Sequence, residues 1–213
     1  MNVSSDSTLS KQNTTLSILS LNANDLRNKL NELSVISTLH NPDVICITET
    51  FGSARYSDSF FHLPNYCLFR QDRLSHGRGG IIIYVHEQVS CQVVSSVAHP
   101  SRLWEARTCK SFSHVRSVVP LQVTCMYRTP GNIPSSSLTE FINYFSISSK
   151  PNNDFHSITL GDFNFPKINW ALNLCTHSID SPAHPFLSVI SNNHLSQPDS
   201  VLVKPPAPVF STL

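Results

Sequence analysis

Residues 16–49 read LSILSLNANDLRNKLNELSVISTLHNPDVICITE, and this stretch decides the fold class. The run from Leu16 to Leu21 alternates and is short, which predicts a buried strand, and the apolar run from Val44 to Ile47 predicts another. Between them, leucine and isoleucine recur at spacings of three and four from Leu26 to Leu39, as in an amphipathic helix. Strand, helix and strand in this order form a βαβ unit, so we expect the two strands to be parallel.

The boundaries of this first helix can also be placed from the sequence. Asn24 or Asp25 can cap its start, because a short polar side chain can accept a hydrogen bond from a free backbone N–H. Asn41-Pro42 should end it, since the residue before a proline is disfavoured in helical geometry.

The rest of the chain predicts an antiparallel middle and two later helices. Five β-rich runs without helices between them suggest antiparallel strands: Tyr66 to Phe69, Ile81 to Val85, Val89 to Val94, Leu103 to Thr108 and Val118 to Met126. A capping box at Ser137–Glu140 should start a second helix. Ile158 to Leu160 reads as a short strand, and residues 185–190 read as a weak helix. The sum is an α/β protein of two packed sheets with helices outside.

Composition excludes several classes of protein. The chain has 213 residues, with 15 Lys+Arg against 14 Asp+Glu, so it is neither strongly basic nor strongly acidic, although a local basic groove stays possible. Its length favours one large domain, and 40% apolar residues are enough for a sizeable core.

The cysteines and the N-terminal residues indicate in which cellular compartment to expect the protein. No two of the six cysteines form a CxxC pair, which excludes a zinc ribbon and a thioredoxin motif. Cys46 and Cys125 lie in apolar runs and should be buried. We see no signal peptide and no apolar span for a membrane, so we expect an intracellular protein of the nucleus or cytoplasm, neither secreted nor membrane-bound.

Polar side chains follow four of the predicted strands. Asn22 and Glu49 end the two strands of the βαβ unit, so they should share one edge of the sheet, where ligands of such sheets collect. A carboxylate and an amide oxygen suit a hard cation such as Mg²⁺. Asp162 could orient or deprotonate a water, while Asn164 and Tyr127 could donate hydrogen bonds to a phosphate. The alternative for each residue alone is a strand that simply meets solvent.

The sequence motifs at the ends of these four strands resemble those of the endonuclease/exonuclease/phosphatase superfamily. The likeness is greatest to the apurinic-type endonuclease domain of non-LTR retrotransposons. Phrases such as Gly79-Gly80 before Ile81 and Ile168-Asn169-Trp170 support the likeness, which covers about residues 16–195. The four motifs are Leu21–Leu26, Ile47–Thr50, Tyr127-Arg128-Thr129-Pro130 and Gly161-Asp162-Phe163-Asn164.

The resemblance implies a four-layer, deoxyribonuclease-I-like α/β sandwich of two mixed, mostly antiparallel sheets flanked by helices. It also implies a Mg²⁺-dependent phosphodiesterase, with Mn²⁺ as a substitute, that needs no small-molecule cofactor. Its partner would be DNA, nicked to leave a 3′-hydroxyl that primes reverse transcription. By residue, Glu49 would hold the metal with help from Asn22. Asp162 would align or activate the attacking water, and Asn164 and Tyr127 would position the scissile phosphate.

The sequence departs from this family near its end. Family members finish with a further strand and a Ser-Asp-His signature, and this chain contains no Asp-His dipeptide. We therefore expect a disordered N-terminal segment at 1–15, an incomplete domain at 16–195 that lacks its last strands, and a disordered Pro-rich tail at 196–213. Such a chain would nick DNA weakly, and restoring the signature should raise nicking.

Two alternatives stay open at this point. One is a catalytically inactive, truncated remnant, and the other is a phosphatase of inositol phosphates or lipids. Near the motifs, we expect Gly77–Gly80 to form a turn, and Arg70, Arg73, His76 and Arg78 to form either a basic loop on the DNA backbone or a solvated face. Trp104 should be in the core and Glu105 on the surface.

Overall fold

A computed structural model describes residues 16–73, 78–100, 103–112, 120–150, 155–176, 181–193, 195, 202–203 and 211–212. The predicted N-terminal segment 1–15 lies outside the described residues, as do His76 and Gly77. No helix in the described part of the chain is long and apolar enough to cross a membrane.

The first sheet has five strands and contains the predicted βαβ unit. Its strands are β1 (Ser17–Asn22), β2 (Val44–Thr48), β3 (Tyr66–Gln71), β4 (Ile81–His86) and, late in the chain, β12 (Ser211–Thr212). They lie in the order β12-β1-β2-β4-β3. β1 and β2 are parallel, as predicted, while β4 is antiparallel to both of its neighbours.

The second sheet also has five strands and is mostly antiparallel. It consists of β5 (Ser90–Ala98), β6 (Trp104–Phe112), β7 (Leu121–Arg128), β8 (His156–Asp162) and β11 (Leu202–Val203), in the order β11-β8-β7-β6-β5. Only the pairing of β7 with β8 is parallel among these described strands. A separate antiparallel pair joins β9 (Ile168–Asn169) to β10 (Leu174–Cys175).

Three apolar clusters show that the molecule has four layers. One lies between the sheets and includes Cys46 and Cys125, both buried as predicted. A second covers the outer face of the first sheet with α1 (Leu30–His40) and the segment around Phe61. The third packs α2 (Ser135–Ser148) and α3 (Ala183–Asn192) on the second sheet and contains Trp104. This order of helix, sheet, sheet and helix confirms the predicted fold class.

The first helix begins later than its apolar pattern suggests. Residues Leu26–Asn28 form a separate 3-10 turn before α1. Asp25 does cap, but it caps this turn: its carboxylate accepts from the Arg27 N–H and also pairs with the Arg27 guanidinium. The chain leaves α1 at Asn41, which has a left-handed φ of 43° just before Pro42.

The predicted capping box at Ser137–Glu140 is wrong. α2 begins at Ser135, after Pro134, and no side chain caps it. Ser137 already lies inside the first turn and is buried, so it is not placed as an N-cap. The apolar face is as expected, because Phe141, Ile142 and Phe145 are all buried.

Two short strands come from the segment predicted to be a disordered tail. The backbone of Leu202–Val203 pairs antiparallel with β8, and that of Ser211–Thr212 pairs parallel with β1. For these four residues the structure differs from the expectation. The unpaired backbone groups of an edge strand are a ready partner for any extended segment that reaches them.

Candidate active site

The carboxyl ends of two parallel strand pairs, β1 with β2 and β7 with β8, meet at one end of the sandwich. In the first sheet, Asn22 is the last residue of β1, and Glu49 directly follows β2. In the second sheet, Tyr127 of β7 is the register partner of Asp162, the last residue of β8. A crevice forms at such ends because the loops that follow diverge.

Two hydrogen bonds join the sheets at this end. The Asn22 side chain donates from Nδ2 to Oδ2 of Asp162 over 3.0 Å. The Tyr127 hydroxyl donates to Oε1 of Glu49 over 3.1 Å. Four of the five predicted site residues are thus directly linked in two pairs, each with one member from each sheet.

Asn164, the fifth predicted residue, is tied to the same group through the turn after β8. Its backbone N–H donates to Oδ1 of Asp162 over 3.1 Å, and its side-chain Nδ2 donates to the backbone oxygen of Arg128 over 2.7 Å. Asp162 therefore accepts a hydrogen bond at each carboxylate oxygen. Each oxygen keeps a lone pair for a further donor such as water.

Arg128 is a residue of this site for which the sequence suggested no role. Its guanidinium donates to the backbone oxygens of Phe163 and Asn164 over 2.9 and 2.6 Å. Its Cζ also lies 4.3 Å from the centroid of the Phe165 ring. Burial lowers the pKa of Arg128, and the nearby Asp162 carboxylate opposes that shift. The side chain fixes the turn that carries Asn164.

The backbone at the strand ends is strained. Glu49 has a φ of 53° and Asn164 a φ of 49°, in the left-handed region. Asparagine tolerates this region, whereas a glutamate there is uncommon. The Glu49 conformation is held by its neighbours, since its backbone oxygen accepts from the Asp25 N–H over 2.9 Å. Strain of this kind concentrates at functional sites.

The hydroxyl of Tyr127 is kept in its protonated form. The side chain is 1% exposed, and burial, followed by the negative charges of Glu49 and Asp162, raises its pKa. The Arg73 guanidinium opposes this shift. Tyr127 therefore keeps its hydroxyl proton and donates it to Glu49.

The oxygen atoms of Glu49 and Asn22 fit a hard divalent cation. Oδ1 of Asn22 accepts from the Asn24 N–H over 2.9 Å, which aims the amide and leaves that oxygen a second lone pair. Mg²⁺ commonly takes one or two carboxylates and keeps its remaining positions for water and phosphate. In the described residues, no group of three or more His, Cys, Asp and Glu side chains is placed to hold a metal ion.

The structure corrects the expectation for Glu105. This residue is 1% exposed, not a surface residue. Its carboxylate accepts from Arg73 Nε over 2.6 Å and from the Gly80 N–H over 2.7 Å. A lone glutamate beside Trp104 gave no signal of burial, because alternation along a strand does not reveal which face is covered.

The predicted basic loop is largely neutralised. Arg70 pairs with Asp58 and Asp72, and Arg73 pairs with Glu105, while Arg78 is exposed. Gly79 and Gly80 have φ values of 129° and 85° and lead directly into β4. This is the geometry expected of a turn before a strand, whereas a phosphate-binding loop of the P-loop type would lead into a helix.

Comparisons with solved structures agree with this fold. The chain is similar to the AP endonuclease from Archaeoglobus fulgidus, with a TM-score of 0.56, 18% identity, and coverage of 84% of this chain and 70% of that one. It is also similar to the AP endonuclease LMAP from Leishmania major, with a TM-score of 0.57, 15% identity, and coverage of 83% of this chain and 66% of that one. A third similar structure is D. rerio TDP2 complexed with single-strand DNA product, with a TM-score of 0.54, 15% identity, and coverage of 71% of this chain and 62% of that one.

The likeness is one of fold, and it is partial in length. The chain spans about two thirds of each of these structures. No protein-family model matches the sequence. No curated protein matches it either. The chain shares the fold of these AP endonucleases and of TDP2, in agreement with the two-sheet α/β sandwich that its strand-end motifs imply.

Proposed function

We propose that the chain is a divalent-cation-dependent phosphodiesterase that nicks DNA, as the endonuclease domain of a non-LTR retroelement does. The observation that carries this proposal is the hydrogen-bonded group in which the two sheets meet. It combines two oxygen ligands for a cation with a water-orienting carboxylate and two hydrogen-bond donors: Asn22, Glu49, Asp162, Tyr127 and Asn164.

Each side chain has a role that follows from its contacts. Glu49 and Asn22 would hold Mg²⁺, or Mn²⁺ in its place. The cation would supply positive charge to a phosphate oxygen. Asp162 already accepts two hydrogen bonds, which fix the direction of its carboxylate, and it would accept a proton from the attacking water.

The donors are Tyr127 and Asn164. In this structure Tyr127 donates its one hydroxyl proton to Glu49, and its raised pKa keeps that proton in place. When Glu49 holds the cation, the same proton would be donated to a phosphate oxygen instead. Asn164 carries two N–H groups on Nδ2; one is bound to Arg128, and the other is left for substrate. Donors placed where negative charge develops are often the largest single contribution to catalysis.

DNA is the substrate class that the comparisons favour. Two of the similar structures are AP endonucleases, and a third holds a single-strand DNA product. The retroelement assignment rests on the strand-end motifs of the sequence.

The proposal is tested by nicking of supercoiled plasmid and of an oligonucleotide with one abasic site, in Mg²⁺ and in Mn²⁺. We expect nicking that leaves a 3′-hydroxyl, and we expect Asp162→Asn to abolish it. Asp43→Asn is the matched control, since Asp43 accepts from Ser17 at the opposite end of the first sheet.

A folded wild-type chain that nicks neither substrate in either metal would contradict the proposal and favour the inactive remnant. Release of phosphate from inositol phosphates, without nicking, would favour the phosphatase.

A further inference from the structure

The site is divided between two sheets, so its geometry depends on their separation. Glu49 belongs to the first sheet and Tyr127 to the second, and the 3.1 Å hydrogen bond between them spans the gap. A shift of one sheet against the other by about 1 Å would break this hydrogen bond. Some contact beside the site must therefore fix the distance.

The ion pair of Arg73 and Glu105 is such a contact. Glu105 lies on β6 as the direct register partner of Tyr127 on β7, so the two side chains are neighbours on the inner face of the second sheet. Its two partners belong to the first sheet: Arg73 follows β3, and Gly80 precedes β4. One carboxylate thus binds both ends of the connection between those strands.

The guanidinium of Arg73 is confined on three sides. It binds Glu105 through Nε, and its Cζ lies 5.7 Å from the centroid of the Tyr127 ring. On the third side is Gly79, where an added Cβ would come within 2.6 Å of Arg73 Nε. Glycine at this position leaves the space that the guanidinium occupies.

Stability alone is a weak reason for this arrangement. A buried ion pair is often no more stabilising than apolar side chains of the same volume. Here one guanidinium nitrogen, Nη2 of Arg73, is buried without a hydrogen-bond partner in the described residues, which adds a cost. What the pair supplies instead is a fixed position for the Tyr127 ring.

We propose that Arg73 and Glu105 are positioning residues that hold Tyr127 against Glu49 by fixing the two sheets beside the site. The inference rests on the proposed function for its kinetic consequence only. Neither residue needs to touch DNA.

The kinetic test is a double-mutant cycle in the nicking assay. Glu105→Gln keeps the size of the side chain and removes its charge; we expect kcat to fall about 10²-fold with KM nearly unchanged, the effect of a small misplacement. In the Tyr127→Phe background the same substitution should cause no further loss, because the two act as a unit. Asp43→Asn should leave kcat unchanged, and Arg73→Lys should retain more activity than Arg73→Met.

A second measurement does not depend on activity. The five tyrosines can be replaced by 3-fluorotyrosine, and Tyr127→Phe assigns the Tyr127 fluorine signal. We expect one narrow signal in the wild type and in Asp43→Asn, and a broadened or split signal in Glu105→Gln and Arg73→Met. Circular dichroism checks that each variant is folded.

Two results would overturn the inference: additive losses in the cycle, or a single narrow Tyr127 signal at the wild-type position in folded Glu105→Gln. A wild-type chain without nicking would instead refute the proposed function. The fluorine spectra would still decide whether the ion pair holds Tyr127.

Discussion

Glu49 meets two separate demands at one residue. Its carboxylate accepts from Tyr127, and its backbone adopts a left-handed φ of 53° that is uncommon for glutamate. A backbone conformation that costs energy persists only where the surrounding structure holds it, and such residues cluster at functional sites. The strain is therefore part of how the carboxylate is aimed at the junction of the sheets.

The metal role proposed for Glu49 leads to a first prediction. Glu49→Gln should weaken the binding of Mg²⁺ or Mn²⁺ measured by calorimetry, because a neutral amide is a poorer ligand than a carboxylate. Glu32→Gln, on the exposed face of α1, should bind as the wild type does. An unchanged affinity in Glu49→Gln would remove this residue from the metal site.

The hydroxyl of Tyr127 leads to a second prediction. Tyr127→Phe should lower nicking about 10²–10³-fold, since it deletes the proposed donor to the phosphate. It should cost only about 0.5–1.5 kcal/mol in stability. Tyr66→Phe is the control, because the Tyr66 hydroxyl donates to the Pro42 oxygen far from the site. Equal effects of the two substitutions on nicking would contradict the role of Tyr127.

For individual polar residues, the sequence predicts those at the ends of strands and misses those buried between the two sheets. Asn22, Glu49 and Asp162 could be proposed from the sequence because each stands at the end of a recognisable strand. Arg73 and Glu105 could not, since they are 32 positions apart in the chain and their pairing depends on how two separate sheets are stacked.

The close approach of β7 and β8 depends on one glycine. A Cβ at Gly161 would lie 1.8 Å from the Met126 backbone oxygen, and the residue has a φ of +131°. Neither strand can move away without separating Tyr127 from Asp162, which are register partners one residue further on. Gly161 thus lets the site-bearing strands pair along their full length.

The third prediction compares two glycines. Gly161→Ala should lower the free energy of unfolding by more than about 4 kcal/mol, because it forces backbone apart. Gly131 also has a positive φ, of +88°, but nothing lies within 4 Å of its Cβ position. Gly131→Ala should therefore cost only about 1–2 kcal/mol, the strain of the left-handed region. Urea unfolding measures both, and similar losses would count against the packing argument.

Local sequence patterns predicted correctly whether most segments are helices or strands, but they predicted less well the residues at which these elements begin and end. The βαβ unit and the antiparallel middle are confirmed because periodicity and turn residues are encoded locally. The start of α1 was missed, since the Asp25–Arg27 contact forms a 3-10 turn inside an unbroken apolar pattern. The capping box failed because Pro134 allows the helix to start two residues before Ser137.

Considered as a whole, the molecule encloses a charged group at one end of its inter-sheet core. Burial raises the pKa of Glu105, and the opposing effects of Arg73 and the Gly80 N–H do not cancel that shift. The folded protein thus holds a proton on Glu105 more tightly than the unfolded chain does. Protonation of Glu105 therefore contributes to the free energy of unfolding. This contribution is fully present below the ordinary pKa of 4.5, and it is lost as the pH rises through the raised pKa of the folded protein.

The fourth prediction follows from that sign. The free energy of unfolding of the wild type, minus that of Glu105→Gln, should decrease between pH 4.5 and pH 7. Urea unfolding of both proteins at several pH values measures the difference. A difference that stays constant or grows with pH would show that Arg73 outweighs burial.

The order of strands in each sheet was beyond reach of the sequence. Placing β4 between β2 and β3, or β7 between β6 and β8, requires contacts among segments that are distant in the chain. The local patterns predicted two packed sheets with helices outside, but they did not predict which strands are neighbours within each sheet.

The hydrogen bond between Asn22 and Asp162 joins residues 140 positions apart. During synthesis at about 5–20 residues per second, roughly 7–28 s separate the appearance of these two side chains at the ribosome. Any nascent chain shorter than 162 residues lacks half of the junction, so under the proposed function it would not nick DNA.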